Sequence, residues 1–74
     1  MSTYHVKIKA AYKRSGNEIH INETHNFTTI TAATTFAAGY AEGLSWTIDL
    51  LRNGTSWHDI HGNKVIWIEQ KIEV

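Results

Sequence analysis

The chain has 74 residues, with seven lysines and arginines, seven aspartates and glutamates and five histidines, and 42% of it is hydrophobic. This composition excludes a disordered chain, and the length predicts a single domain over residues 1–74. Because there is no cysteine, neither a disulfide nor a thiolate metal site can support so small a core. No apolar run reaches the ~20 residues of a membrane helix, and the polar N-terminus does not resemble a signal peptide. We therefore expect a cytoplasmic protein with no membrane partner.

The charges are unevenly distributed along the chain, although the net charge is zero. Residues 1–14 contain four bases and no acid, whereas residues 15–74 contain three bases and seven acids. This pattern indicates a local contact with an anion, since general affinity for nucleic acid usually accompanies a basic domain. An alternative is that the lysines only solubilise an exposed strand face.

The N-terminal residues predict a β-hairpin. A first strand carries one apolar face (Tyr4, Val6, Ile8, Ala10 and Tyr12), and a second strand of about residues 18–28 follows the turn residues 15–17. Matching apolar faces allows two registers, one pairing Tyr12 with Ile21 and Val6 with Phe27, the other pairing Tyr12 with Ile19. Glu23 and His25 do not fit the apolar face of the second strand. They predict a bulge or a departure of the strand from the core.

A helix is predicted after the hairpin, with Thr31 as its N-cap and apolar residues at helical spacing from Ala33 to Leu44. The favoured alternative ends the helix at Gly43, makes residues 44–50 a third strand, and uses Asn53-Gly54 as a hairpin turn. The other alternative continues the helix to Leu51 and caps it at Asn53-Gly54, although Gly39 and Gly43 weaken a long helix.

A last strand is predicted after residues 61–63 and runs to Val74, with Ile66 and Ile68 on one face and Val65 and Trp67 on the other. The order β-β-α-β-β predicts the α+β class, with one antiparallel sheet and a single helix packed on one of its faces.

The histidines do not predict a metal site. His58 and His61 with Asp59 form the densest cluster, but residues three apart on a strand face opposite sides, and no third ligand follows from the spacing. No nucleophile motif or phosphate-binding glycine loop occurs, and the acids are scattered. We expect a protein that is not an enzyme and that needs no cofactor.

The sheet face opposite the helix is the predicted ligand-binding surface. Its candidate residues are Lys7, Lys9, Lys13, His20, Asn22 and Trp67. Cations suit phosphate groups and an indole ring suits stacking with a base, so the surface is typical of a site for an anionic, nucleotide-like ligand. Trp67 is alternatively a core or interface residue, because tryptophan is common in interface hot spots and the chain has three. The small core also favours a homo-oligomer.

The junction Phe27-x-Thr29-x-x-Ala32-Ala33-x-x-Phe36-Ala37, which enters a helix after a basic hairpin, resembles the corresponding junction in small phage-encoded accessory proteins. The resemblance covers about eleven residues and implies a stoichiometric inhibitor of a host process. Together with the absence of catalytic motifs, it predicts a non-catalytic binding protein whose target is a host protein or a small anionic ligand. The alternative is a small nucleic-acid-binding domain that uses the same sheet face.

Overall fold

The alternating N-terminal residues form the two longest strands of the protein. In the computed structural model, which describes residues 2–72, β1 is Ser2–Arg14 and β2 is Asn17–Phe27. Ser15 and Gly16 connect them with φ values of 52° and 80°, the two positive angles that a type I′ hairpin turn requires. The register pairs Tyr12 with Ile19. The second predicted register is therefore correct, and the pairing of Val6 with Phe27 is wrong.

The two polar residues on the apolar face of β2 remain in a regular strand. The β1–β2 register runs unbroken from Tyr4↔Phe27 to Arg14↔Asn17, so the predicted bulge or departure of the strand is wrong. Instead, Glu23 and His25 bond to each other, and Glu23 also accepts a hydrogen bond from Tyr40 on the helix. The helix thus satisfies the polar groups that the strand turns toward it.

The helix α1 is Ile30–Leu44, and its N-cap is Thr29 rather than the predicted Thr31. The Thr29 side-chain oxygen accepts a hydrogen bond from the Ala32 amide at 3.1 Å, which satisfies one of the free N–H groups of the first turn. The buried positions of α1 are Ala33, Ala37, Ala41 and Leu44. Since three of these four side chains are methyl groups, the helix backbone can approach the sheet closely.

The segment after the helix turns back instead of forming the predicted strand over residues 44–50. Leu44 is the last helical residue, and its side chain is held in the core. Its carbonyl accepts hydrogen bonds from the amides of Thr47 and Ile48, both at 2.9 Å. The longer helix to Leu51 is likewise wrong. Two short strands follow, β3 (Leu51–Asn53) and β4 (Ser56–His58). The predicted hairpin is present, but its two turn residues are Gly54 and Thr55 and not the predicted Asn53-Gly54, because Asn53 pairs with Ser56.

The last strand, β5, is Lys64–Ile72; the predicted extension through Glu73 to Val74 lies outside the described residues. Within residues 2–72 the five strands form one antiparallel sheet in the order β2-β1-β5-β4-β3, with α1 on one face. The predicted α+β class and the order β-β-α-β-β are confirmed. The β3–β4 hairpin supplies one more short strand than that order counts.

The core lies at one end of the sheet. Ser2–Ile8 of β1 pairs with β5, and from Tyr4 onward it also pairs with β2; we call this part with its partner residues the proximal sheet. Lys9–Asn22, which we call the hairpin arm, extends beyond the pairing with β5. The molecule is consequently 46 Å long, and its radius of gyration is 12.9 Å, compared with about 11 Å for a compact chain of this length. The core residues are Val6, Ile8, Ala33, Ala37, Ala41, Leu44, Trp57, Val65 and Ile66.

Candidate binding face

The sheet face opposite the helix carries all six residues that were predicted to bind a ligand, and we call it the lysine face. Lys7 lies directly opposite Trp67 on β5, and Lys9 lies opposite Asn22 on β2. His20 lies opposite Ala11, two residues from Lys13 on the same side of β1. The neighbouring residues Val6, Ile8 and Ile66 point the other way, into the core. The prediction that the six residues lie on one side of the sheet is confirmed, while ligand binding by these residues stays a prediction.

Two further lysines lie on this face. Lys71 is opposite Thr3 on β1, and Lys64 is opposite His58 on β4. Lys71 has the same strand parity as Trp67, so the sequence contained the signal for it. Lys64 has the parity of the core residue Ile66 and could not have been assigned to this face from alternation alone.

A β-bulge explains the position of Lys64. Trp57 pairs with Ile66 and His58 pairs with Lys64, so Val65 is an extra residue between two pairs. Val65 and Ile66 are consequently both buried in the core, at 4% and 0% exposure. The prediction that Val65 lies with Trp67 on the exposed face is wrong, because the bulge interrupts the alternation at that residue.

Two carboxylates partly neutralise the lysine face. Glu69 accepts a hydrogen bond from Trp67 Nε1 at 3.0 Å, and its second oxygen is 3.9 Å from Lys7 Nζ. Glu18 lies 3.1 Å from the imidazole of His20. Both contacts are exposed to solvent, where even ion pairs contribute little to stability. An incoming anion therefore competes mainly with Glu69 for Lys7 and the indole N–H.

Four of the lysines line two shallow depressions, which lie on the lysine face and at its edge. The first has a volume of about 430 Å³ and is lined by His5, Lys7, Thr24, Asn26, Glu69, Gln70 and Lys71. The second has a volume of about 420 Å³ and is lined by Lys9, Ala10, Ala11, Asp59, Asn63, Lys64 and Val65. Each volume falls in the range of ~300–1,000 Å³ that small-molecule sites occupy. Each depression presents two lysines, at least one amide side chain and one carboxylate.

Asp59 orders the loop beside the second depression. Its Oδ1 accepts hydrogen bonds from the amides of His61 and Asn63, at 2.8 and 3.0 Å. These bonds, with that of Asn63 first, hold the pKa of Asp59 below its usual value. His58, which the sequence groups with Asp59 and His61, contacts the Ser56 hydroxyl at 3.0 Å. Among residues 2–72 no three histidine or carboxylate side chains converge as a metal site would require.

A polar cluster lies on the opposite face of the sheet, between β2 and α1. The Tyr40 hydroxyl donates to Glu23 Oε2 at 2.8 Å, and the His25 ring bonds to Glu23 Oε1 at 2.8 Å. Hydrogen bonds from His25 and Tyr40 lower the pKa of Glu23, and burial with the Glu23 contact raises the pKa of Tyr40 to about 12. A phenol with so high a pKa stays protonated near neutral pH, so this cluster is poorly suited to proton transfer. The hydrogen bond from Tyr40 to Glu23 instead fastens the helix to β2.

The three tryptophans occupy three different environments. Trp57 is a core residue, and the guanidinium of Arg52 lies 5.0 Å from its ring centroid. Trp46 is 90% exposed in the turn after α1. Trp67 is half-buried on the lysine face. Of the three, only Trp67 has an indole on the same surface as the predicted lysines.

No helix within residues 2–72 has the length and apolar character needed to cross a membrane. No known protein family matches the chain, and no curated protein and no solved structure is similar to it.

Proposed function

We propose that this protein is a non-catalytic, stoichiometric binding protein that holds an anionic, nucleotide-like ligand on the lysine face. The observation that carries the proposal is the placement of charge. Five of the seven basic residues of the chain lie on the one sheet face that the helix leaves open: Lys7, Lys9, Lys13, Lys64 and Lys71. Among residues 2–72 the strands bring two carboxylates to the same face, Glu18 and Glu69.

The chemistry of this surface suits a phosphate group joined to a base. Lysine ammonium groups attract phosphate as point charges, and the Asn22 and Asn26 side chains add neutral donors. Trp67 lies next to Lys7 across the strands and offers a ring on which a base can stack. Because Glu69 contacts both Lys7 and Trp67, the phosphate replaces this carboxylate when the ligand binds.

The proposal is tested by calorimetric titration with mono-, di- and cyclic nucleotides. Lys7→Gln/Lys9→Gln should weaken binding at least about tenfold and flatten its salt dependence, because two phosphate contacts are lost. Arg14→Gln/Arg52→Gln is the matched control, since it removes the same charge from residues that contribute to grooves on the helix side. Glu69→Gln should strengthen binding, because it removes the competing carboxylate.

Two results would overturn the proposal. One is the absence of heat with every nucleotide, which leaves a host protein as the target of an accessory or inhibitor protein. The other is equal weakening by the two double variants, which would mean that net charge matters and the lysine face does not.

A second candidate function, binding of single-stranded nucleic acid, is favoured by the length of the lysine row. Lys71 is level with Thr3 of β1, and Lys13 lies ten residues further along that strand. The row therefore extends over about 33 Å at ~3.3 Å per residue, which is longer than one nucleotide. Titration with oligonucleotides of increasing length separates the two functions. Affinity that rises with length supports nucleic acid, and affinity independent of length supports a nucleotide.

A further inference from the structure

The outer edge of β2 is an open hydrogen-bonding surface. β2 has 11 residues, and within residues 2–72 no strand pairs with its outer side. In a hairpin closed by a two-residue turn, hydrogen-bonded pairs recur at every second residue from Arg14↔Asn17. The odd-numbered residues of β2 therefore bond to β1. The backbone N–H and C=O groups of the even-numbered residues point outward: Glu18, His20, Asn22, Thr24 and Asn26.

The edge lacks four of the features that usually prevent strand pairing, although it carries two glutamates, of which Glu23 faces the helix and is bonded to His25 and Tyr40. Lysine, proline, bulges and short length are the common protective devices of edge strands. β2 contains neither lysine nor proline, and its register with β1 is regular throughout. The edge can therefore accept another strand.

We propose that β2 pairs antiparallel with β2 of a second copy of this chain, about a two-fold axis at Thr24. In this register Glu23 lies opposite His25 of the second copy, Ile21 lies opposite Phe27, and Asn22 lies opposite Asn26. Carboxylate meets imidazole, apolar side chain meets apolar side chain, and amide meets amide. The inference is independent of the anionic ligand proposed above.

The neighbouring registers are less complementary. An axis at Glu23 places two glutamates directly opposite each other, which is destabilising. An axis at Asn22 places Ile21 opposite Glu23 and Ile19 opposite His25. Of these three axes, only the one at Thr24 matches charge and apolar character together.

A half-buried row of rings next to the edge gives the second copy apolar surface to cover. The His25 and Phe27 rings lie 4.6 and 5.2 Å from the ring of Phe36, and Tyr40 lies 6.0 Å from Phe36 on the helix. All four side chains keep part of their surface exposed. A strand added along β2 removes some of this surface from water, and the gain scales with the apolar area buried.

Single cysteine variants test the axis, because the chain has no cysteine of its own. Thr24→Cys places two thiols on opposite residues at about 5.5 Å between Cα atoms, within the range for a disulfide. Asn22→Cys is the control, since its two copies lie about 13 Å apart in this register. Under mild oxidation we expect a covalent dimer from Thr24→Cys and monomer from Asn22→Cys. Equal cross-linking of both variants, or none, would overturn the proposed axis.

A proline variant tests the edge without cross-linking. Thr24→Pro removes an outward N–H and should raise the dimer dissociation constant at least about tenfold, whereas Thr24→Val keeps the donor and should change it by about twofold or less. Sedimentation equilibrium reads the mass against the 8.4 kDa of one chain, and circular dichroism confirms that each variant is folded. If Thr24→Pro does not fold, the cysteine pair decides alone.

Three outcomes contradict the proposal. The first is a wild-type protein that stays monomeric up to millimolar concentration. The second is a dimer that folded Thr24→Pro leaves intact, which would place the interface elsewhere. The third is a dimer abolished by Lys7→Gln/Lys9→Gln, which would place it on the lysine face. Nucleotide binding by a monomer would retain the proposed function and remove only this inference.

Discussion

The proximal sheet and the hairpin arm are built from the same two strands but differ in what covers them. In the proximal sheet, Val6 and Ile8 lie between strands on both sides and are 0% and 1% exposed. In the arm, Tyr12 and Ile21 continue the same alternation, yet both stay partly exposed. An apolar strand face thus becomes a core only where a third strand and the helix meet it. Four of the six predicted ligand residues, Lys9, Lys13, His20 and Asn22, lie on the arm.

The largest expected effect comes from shortening a side chain in the proximal sheet. Ile66→Ala should lower the free energy of unfolding by about 2–5 kcal/mol, because Ile66 is 0% exposed and leaves a cavity. Ile21→Ala in the arm should cost about 1 kcal/mol, since this residue is only half-buried. Urea denaturation measures both. Equal losses would mean that the arm is as much a part of the core as the proximal sheet.

The next effect concerns the boundary between the two regions, where Glu23 lies opposite Ile8. Tyr40→Phe should lower the free energy of unfolding by about 1 kcal/mol, because it removes the hydroxyl that donates to Glu23. Thr35→Ser, a small change at an exposed position of α1, is the control. A stability equal to wild type would show that the hydrogen bond does not fasten the helix.

The same cluster predicts how stability depends on pH. The pKa of Glu23 is lowered in the folded state, so its contribution is present above the ordinary value of 4.5 and is lost as the pH falls through the folded pKa. The pKa of Tyr40 is raised to about 12, so its contribution is present below 10.0 and is lost as the pH rises toward 12. Urea denaturation over this pH range measures both limits. Glu23→Gln should flatten the acid limit, and an unchanged acid limit would contradict the assignment.

A smaller effect should arise at the tip of the arm. Ser15 has a φ of 52°, a conformation that asparagine adopts more readily than serine. Ser15→Asn should stabilise the arm by about 0.5 kcal/mol, and amide hydrogen exchange of the arm should slow accordingly. Thr55→Asn, in the turn between β3 and β4, should leave exchange in the arm unchanged. Slowing by both variants would indicate a general effect on the protein.

The smallest effect is expected for lysines of the arm. Lys9→Gln/Lys13→Gln should change the free energy of unfolding by no more than about 0.5 kcal/mol, because both side chains are exposed. The same variant should weaken ligand binding if the lysine face is the site. A large loss of stability would show that these lysines have a structural role.

The alternation of residues was sufficient to predict the hairpin and the side on which the six candidate residues lie. It could not predict the end of the helix, since Leu44 fits an apolar helix stripe and an alternating strand equally well. It also could not predict the partner of Glu23, because Tyr40 lies 17 residues away and contacts it only after the helix packs. The N-cap was misplaced by two residues because Thr29 and Thr31 are both good capping residues.

The candidate site was predicted only as far as strand parity extends. Lys7, Lys9 and Trp67 follow from parity, whereas the neutralising contact of Glu69 depends on side-chain conformations that no pattern reports. Lys64 was missed because a bulge has no reliable signature in a single sequence.

The bulge at Val65 also determines which changes of chain length the protein can tolerate. Deleting Val65 would restore simple alternation in β5, and Lys64 would stay opposite His58 on the lysine face while Ile66 kept its place in the core. A single deletion would thus leave every lysine on the lysine face and remove one buried side chain from the core, so its cost should be a loss of stability. The loop of residues 59–63 lies outside the strand pairing, so a residue gained or lost there shifts no side chain from one face to the other. Variation in length should therefore be confined to that loop.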